Sequence, residues 1–168
     1  MNKNKLLKSL LKNNIQYKIY KHNALFTVED SKKMRGKIKG AHTKNLFFKN
    51  KKDQFFLFSC LESTKIDLKK LQKSLNIGNI SFAKEKYLNS LLNVKPGAVT
   101  PFGLINDLDC EIEFFLDYKI IEFKEVNFHP MENTSTITIK TKQFIEFIQK
   151  NNKLVNIYNF DNYTLINE

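Results

Sequence analysis

Residues 46–60 read LFFKNKKDQFFLFSC, two aromatic-rich runs on either side of a short polar segment. Aromatic side chains favour strands, whereas Asn and Asp among lysines favour a turn. The pattern therefore predicts strands at Leu46–Lys49 and Gln54–Cys60, joined by a turn at Asn50–Asp53. Because both runs are strongly apolar, we expect buried strands and place this hairpin at the centre of a sheet.

Helical and strand-like patterns alternate around the hairpin. Leucines recur at helical spacing among lysines near the start of the chain, which predicts an amphipathic helix that includes Leu6, Leu7, Leu10 and Leu11. Further helices are predicted at 28–35, from Asp67, at 84–92 and from Thr141, which we expect to cap its helix. Further strands are predicted at 16–22, 80–83, 104–105, 111–116, 121–126, 136–139 and 154–160.

This mixture of elements favours an α+β fold, with a mixed central β-sheet flanked by helices in a single compact domain over residues 1–160. The polar residues 161–168 are predicted to form a frayed C-terminal tail. No apolar run approaches the roughly 20 residues that a membrane-spanning helix needs. The lysine-rich start lacks a signal-peptide core, so we expect a soluble, intracellular protein. Cys60 and Cys110 lack metal or redox spacing, and both are predicted to be buried thiols in strands.

The positive charge is concentrated in the first third of the chain. Residues 1–52 hold 15 basic residues against two acidic ones, a net charge of +13, whereas the whole chain carries +11. Lysines that displace counterions from phosphates give strong, salt-dependent affinity for polyanions. A lysine-rich proteome would explain the choice of lysine over arginine but not this clustering. RNA is therefore the expected partner.

Three blocks contain the residues that could support catalysis: HTKNLFF at 42–48, PGAVTPFG at 96–103 and VNFHP at 126–130. Lys44 lies where a polar loop meets an apolar strand, so it is either a solvated lysine or a residue that holds a substrate oxygen. The second block is either a tight connection or a cradle whose backbone N–H groups bind an oxyanion. His129 is either a buried structural histidine or a functional one. The sequence contains no recognisable nucleophile triad, metal-ligand cluster or phosphate-binding glycine loop.

Together these blocks resemble the freestanding prolyl-tRNA editing deacylases of the ProX type, which have a YbaK-like editing fold. Shorter matches at 26–30, 66–68, 81–83 and 104–107 extend the resemblance over nearly the whole chain. The resemblance implies an aminoacyl-tRNA deacylase that needs no cofactor and no metal. It implies catalytic roles for Lys44, Asn45 and His129. It implies substrate binding by Phe26, Thr43, Leu46, Gly97, Ala98, Val99, Thr100, Pro101, Phe102 and Gly103, and tRNA binding by Lys32, Lys33, Arg35, Lys37 and Lys39.

The expected substrate is proline tRNA mischarged with alanine, hydrolysed in the cytoplasm with help from the neighbouring ribose hydroxyl. Two alternatives stay open: the same fold acting on cysteinyl-, seryl- or threonyl-tRNA, and a noncatalytic module that binds tRNA or prolyl-tRNA synthetase. The chain departs from the family pattern at Asn79, where relatives often have a basic residue, and at Asn23, where they often have proline. The change at Asn79 puts one acceptor-stem contact in question.

Overall fold

The structure, a computed structural model, describes residues 1–24 and 38–166. Its longer helices are α1 (Lys3–Lys12), α2 (Leu68–Leu75) and α5 (Thr141–Lys150), and its shorter ones are α3 (Glu85–Tyr87) and α4 (Tyr118–Ile121). A π-helical turn, Leu88–Leu92, continues α3, and a 3-10 helix covers Pro101–Asn106. The strands are β1 (Tyr17–Lys21), β2 (Ala41–Asn50), β3 (Phe55–Leu61), β4 (Ile80–Phe82), β5 (Ile112–Asp117), β6 (Glu125–Phe128), β7 (Ser135–Lys140), β8 (Asn156–Asn159) and β9 (Thr164–Ile166).

The described strands form one mixed sheet in the order β1-β7-β6-β2-β3-β5-β8-β9, and β4 pairs with β2 outside this order. The predicted hairpin becomes β2 and β3 at the centre, paired antiparallel with Phe47 opposite Leu57. Parallel pairing joins β2 to β6, β3 to β5 and β5 to β8. The predicted α+β fold with a mixed central sheet is therefore confirmed.

Apolar side chains pack on both faces of the sheet. We call the larger cluster the main core; it contains Leu6 and Leu10 of α1, Phe47 and Leu57 of the hairpin, and Phe102. The Phe102 ring meets three other rings edge-on, those of Phe128, Phe144 and Phe147. The second core lies on the opposite face and contains Phe48, Phe58, Cys60, Leu71 and Tyr158. Because side chains alternate between the faces of a strand, odd-numbered residues of β2 face the main core and even-numbered residues face the second core.

Short polar side chains begin two of the predicted helices. The Asn2 side chain accepts a hydrogen bond from the Lys5 backbone N–H and begins α1. Asp67 accepts from the Lys69 and Lys70 amides and begins α2, as predicted. In α1 the expected apolar face buries Leu6 and Leu10, whereas Leu11 is 60% exposed.

Two predicted strands are wrong because local hydrogen bonds favour helical turns. At Leu104–Ile105 the chain forms a 3-10 helix, which begins with Pro101 and is capped by the Thr100 hydroxyl accepting from the Phe102 amide. In the predicted strand 121–126, β6 begins only at Glu125. The predicted strand starts in another element, because the Asp117 carboxylate accepts from the Lys119 amide and begins the helix α4, which ends at Ile121.

Three smaller predictions also need correction. Thr141 does not cap α5; it is the first helical residue, and its hydroxyl donates to the Phe123 carbonyl. Cys110 is exposed directly after a turn and has φ 56°, whereas Cys60 is buried in β3 as predicted. The prediction of a frayed tail is wrong for Thr164–Ile166, because these residues pair with β8 as strand β9.

The predicted helix 28–35 lies outside the described residues. No described helix is long and apolar enough to cross a membrane.

Gly40 is the position where the approach of β6 to β2 requires glycine. Its φ is +95°, and a Cβ atom added there would lie 2.6 Å from the Glu125 carbonyl oxygen. We expect Gly40→Ala to lower the free energy of unfolding by more than about 2 kcal/mol, from backbone strain together with a backbone clash. Urea unfolding measures this loss.

Gly78→Ala is the matched control. Gly78 has φ +70°, but nothing lies within 4 Å of an added Cβ atom. Gly78→Ala should therefore lower the free energy of unfolding only by the backbone strain of an alanine with positive φ, about 1 kcal/mol. Equal midpoints for the two variants would contradict the close approach at Gly40.

Candidate active site

The three sequence blocks meet at the first half of β2. The Asn45 amide donates to the Val99 carbonyl of the 96–103 loop at 3.2 Å. The Thr43 hydroxyl donates to the Asn127 carbonyl of β6 at 2.7 Å. On this edge of β2, β6 pairs with Ala41 and His42, and β4 pairs with Phe48–Asn50. Among the described strands, none pairs with this edge between them; the Ala83 amide donates to the Phe47 carbonyl at 2.9 Å, which leaves the edge at 43–46 without a strand partner.

Lys44 and Asn45 project from opposite faces of β2. Asn45 lies on the main-core side, where its side-chain oxygen accepts from the Ser59 hydroxyl at 2.6 Å. Lys44 lies on the second-core side opposite Cys60, and its ammonium donates to the Thr64 carbonyl. The predicted catalytic residues are thus divided, since Asn45 supports the 96–103 loop while Lys44 lies on the far side of the strand.

His129 belongs to the same side of the sheet as Lys44. Ile137 and Ile139 of β7 enter the main core. Because side chains alternate along a strand, Thr136, directly before Ile137, faces the other side of the sheet. Nε2 of His22 lies 2.9 Å from the Thr136 hydroxyl oxygen, and the His22 ring lies 6.1 Å from the His129 ring, centroid to centroid. Lys44 and His129 therefore share one face of the sheet.

The contacts of His129 define its chemical form. Its Nδ1 lies 3.0 Å from the Ser135 carbonyl oxygen, which can only accept, so Nδ1 carries the proton. Nε2 is then the acceptor of the neutral ring. Burial lowers the pKa of His129 below its ordinary value; the Ser135 contact opposes this effect and nearby His22 adds to it. At neutral pH the ring can accept a proton or a hydrogen bond from a ribose hydroxyl or a water.

This lowered pKa leads to a measurable pH dependence. We expect the His129 ring, followed by NMR, to titrate below the ordinary histidine value of about 6.5, and at a higher pH in His22→Gln. The folded state binds this proton more weakly than the unfolded chain, so the contribution of His129 lowers stability as the pH falls below about 6.5. A midpoint at or above 6.5 in the wild type would contradict the assignment.

The 96–103 loop is mostly packed rather than open. Its buried residues are Ala98, Thr100, Pro101, Phe102 and Gly103, whereas Gly97 is exposed and Val99 half-buried. The Ala98 amide donates to the Lys95 carbonyl and the Gly103 amide to the Thr100 carbonyl, and the Phe102 amide donates to the Thr100 hydroxyl. An oxyanion would have to break a hydrogen bond to use any of these three amides. The remaining candidates for the predicted cradle are the amides of Gly97, Val99 and Thr100.

The other predicted binding residues are only partly described. Phe26, Lys32, Lys33, Arg35 and Lys37 lie outside the described residues. Lys39 is exposed, and its carbonyl accepts from the Asn127 side chain at 2.9 Å. Leu46 is half-buried against the second core. No group of three or more His, Cys, Asp or Glu side chains within 1–24 and 38–166 is arranged to hold a metal ion.

The structure adds residues that sequence reasoning did not assign to the site. His22 lies beside His129, and Thr64 with Asp117 lies beneath Lys44. His22 lies outside the three sequence blocks, and its closeness to His129 depends on the pairing of β1 with β7. No local motif marks Thr64 or Asp117.

A basic and aromatic surface lies at the far end of β2. Phe82 is 65% exposed, and its ring stacks on Phe48 at 4.5 Å. The cavity beside it measures about 340 Å³ and is lined by four lysines, Lys49, Lys51, Lys84 and Lys86. The Lys86 ammonium lies 4.7 Å from the centre of the Tyr87 ring. Lysines around an exposed ring suit single-stranded nucleic acid, because they bind phosphates while the ring stacks on a base.

Comparison with known proteins agrees with this geometry. A 31% identical relative is the prolyl-tRNA editing protein ProX of Acetoanaerobium sticklandii, with 82% of this chain and 84% of that protein covered. Prolyl-tRNA synthetase associated domain-containing protein 1 of Bos taurus is 36% identical, with 88% of each chain covered. A crystal structure described as a candidate trans-editing enzyme for prolyl tRNA synthetase shares the fold, with a TM-score of 0.67, 18% identity and coverage of 100% and 99% of the two chains.

The family profile itself matches most of the chain. The profile described as the aminoacyl-tRNA editing domain aligns with residues 22–147, which include all three blocks and the strands that bring them together. The chain belongs to the aminoacyl-tRNA editing domain family.

Proposed function

We propose that the protein hydrolyses the ester of mischarged proline tRNA, with alanine as the preferred amino acid. The observation that supports this best is the placement of Lys44 and His129 on one face of the sheet, beside the open edge of β2. Family membership and the 31% identical ProX relative point to the same class of reaction.

The chemistry needs no nucleophile from the protein, because an aminoacyl ester is already activated. Water attacks the ester carbonyl, the C–O bond to the ribose breaks, and the ribose oxygen leaves with a proton. The Lys44 ammonium would stabilise the negative charge that develops on the carbonyl oxygen. The neutral His129 ring would hold the neighbouring ribose hydroxyl or the water through Nε2. Asn45 would act indirectly, by tying the 96–103 loop to β2.

Two groups of positively charged residues support binding of tRNA. The first is the basic segment of residues 1–52, with its net charge of +13 from 15 basic and two acidic residues. The second is the surface around Phe82, which pairs with Phe48, four residues beyond Lys44 along β2, or about 13 Å at the rise of a strand. An ester near Lys44 would place the acceptor arm within reach of Phe82 and its lysines. The loss of a basic residue at Asn79 would be offset by Lys84 and Lys86, which line the same cavity.

Alternative substrates stay within the same scheme. A pocket that accepts a small side chain and rejects the proline ring would serve as a second sieve, because a synthetase discriminates poorly against a smaller amino acid. Cysteine, serine or threonine esters would meet the same Lys44 and His129. The Bos taurus relative is named only as a synthetase-associated domain, which keeps a noncatalytic module docked on prolyl-tRNA synthetase as the second candidate. In either case the protein would act in the cytoplasm, where charged tRNA is used.

The deciding experiment is deacylation of proline tRNA charged separately with alanine, cysteine, serine, threonine and proline. Fastest release of alanine, with the proline ester left intact, is the expected result. If cysteine, serine or threonine is released fastest, that amino acid and not alanine is the preferred one, and the protein is still a deacylase. Salt-dependent tRNA binding without turnover of any ester would identify the noncatalytic module.

A further inference from the structure

The Lys44 ammonium rests on a short turn that follows β3. It donates to the backbone carbonyl of Thr64, 20 residues further along the chain. The turn is closed by the Thr64 amide donating to the Leu61 carbonyl at 2.9 Å, and the Glu62 amide donates back to the His42 carbonyl of β2 at 2.9 Å. The carbonyl that receives Lys44 is therefore fixed relative to the strand that carries Lys44.

Asp117 holds this turn from the neighbouring strand. It is fully buried at the end of β5, which runs parallel to β3. One carboxylate oxygen accepts from the Thr64 hydroxyl at 2.9 Å and from the Leu61 amide at 3.4 Å. The other accepts from the Lys119 amide at 3.1 Å. A buried carboxylate that receives several hydrogen bonds is an anchor of fixed geometry, and it supplies negative charge beneath the turn.

The thiol of Cys60, opposite Lys44 in β3, is influenced by both Lys44 and Asp117. Burial raises the pKa of the Cys60 thiol to about 12, with the Lys44 ammonium lowering it and the Asp117 carboxylate raising it. Both charges therefore act on the same sulfur atom, which lies between β2 and β5 in β3. Lys44 thus faces a buried counter-charge through the Thr64 turn.

We propose that Thr64 and Asp117 are positioning residues that set the place of the Lys44 ammonium in the active site. A free lysine side chain has about 2 kcal/mol of rotamer entropy to lose when it is held in one geometry. A fixed carbonyl acceptor above a buried carboxylate takes up that cost when the protein folds, before substrate arrives. The inference rests on the proposed deacylase function, because it assigns these residues a role through Lys44.

A double-mutant cycle tests the inference in the full-length protein. Thr64→Val removes the hydroxyl at nearly constant volume, Thr64→Ser keeps it, and Asp117→Asn removes the charge while keeping an acceptor. Each is measured with Lys44 present and in Lys44→Ala, by single-turnover deacylation of alanyl proline tRNA with enzyme in excess. We expect Thr64→Val and Asp117→Asn to lower the rate about 10-fold with Lys44 present and not at all in Lys44→Ala. Thr64→Ser should retain the wild-type rate.

The outcomes separate positioning from stability and from the proposed function. Equal losses in both backgrounds would overturn the inference, because a residue that only stabilises the fold does not depend on Lys44. Unchanged or faster turnover with Lys44 present would also overturn it, and a faster rate would mean that the turn withholds Lys44. Wild-type turnover by Lys44→Ala itself would remove the catalytic role of Lys44 and this inference with it. Thermal unfolding identifies any variant that fails to fold, and Thr64→Ala then replaces Thr64→Val.

Discussion

Deacylation by Lys44→Ala should be about 100 to 1,000-fold slower than by the wild type, the loss typical of removing one electrostatic contact to a reacting carbonyl. The substitution removes the only ammonium that the first sequence block contributes to the open stretch of β2. The fold should survive, because the Lys44 side chain is half-buried and its carbonyl partner lies in a turn that Asp117 holds independently. Single-turnover rates on alanyl proline tRNA measure the loss, and far-UV circular dichroism checks the fold.

Lys150→Ala is the matched control for loss of one positive charge. Lys150 is exposed at the end of α5 and belongs to none of the three blocks. It should reduce the rate by less than about twofold, since one exposed charge contributes little. Similar losses for the two variants would indicate that Lys44 acts through net charge alone, and the catalytic assignment would fail.

The hairpin was predictable because its information is local. Two aromatic runs and a polar turn within residues 46–60 define β2 and β3, and no distant residue is needed to interpret them. The same holds for α1 and α2, whose caps and apolar spacing are contained in one segment each. Local patterns failed at Leu104–Ile105, where two apolar residues favour a strand but the Thr100 cap and Pro101 impose a 3-10 helix.

The candidate site was only partly predictable, because it depends on which face of the sheet each side chain occupies and on the order in which the strands pair. Neighbouring residues of a strand point to opposite sides, so Lys44 and Asn45 separate as soon as their strand forms, although the sequence places them together. Predicting the residues around Lys44 also requires the pairing of distant strands. Thr64 and Asp117 are 53 residues apart, and they meet only because β5 pairs in parallel with β3.

Loss of the buried ion pair between Lys153 and Asp107 should produce the largest change in stability. Their side chains are 6% and 1% exposed, and the Lys153 ammonium lies 3.2 Å from an Asp107 carboxylate oxygen. It also donates to the Asp107 carbonyl. The carboxylate in turn accepts from the amides of Glu111 and Ile112 at 2.9 and 3.1 Å, which fixes the turn between the 3-10 helix and β5. A lysine this deeply buried is rare unless it is paired.

Lys153→Met is expected to lower the free energy of unfolding by about 3 to 5 kcal/mol, because it keeps the apolar stem but leaves the Asp107 carboxylate buried without its cation. Urea unfolding measures the loss. Adding Asp107→Asn should recover part of the stability, since the double variant buries no unpaired charge while an amide oxygen still accepts from the turn. A loss below about 1 kcal/mol in Lys153→Met would contradict this prediction and show that the carboxylate reaches water once the lysine is removed.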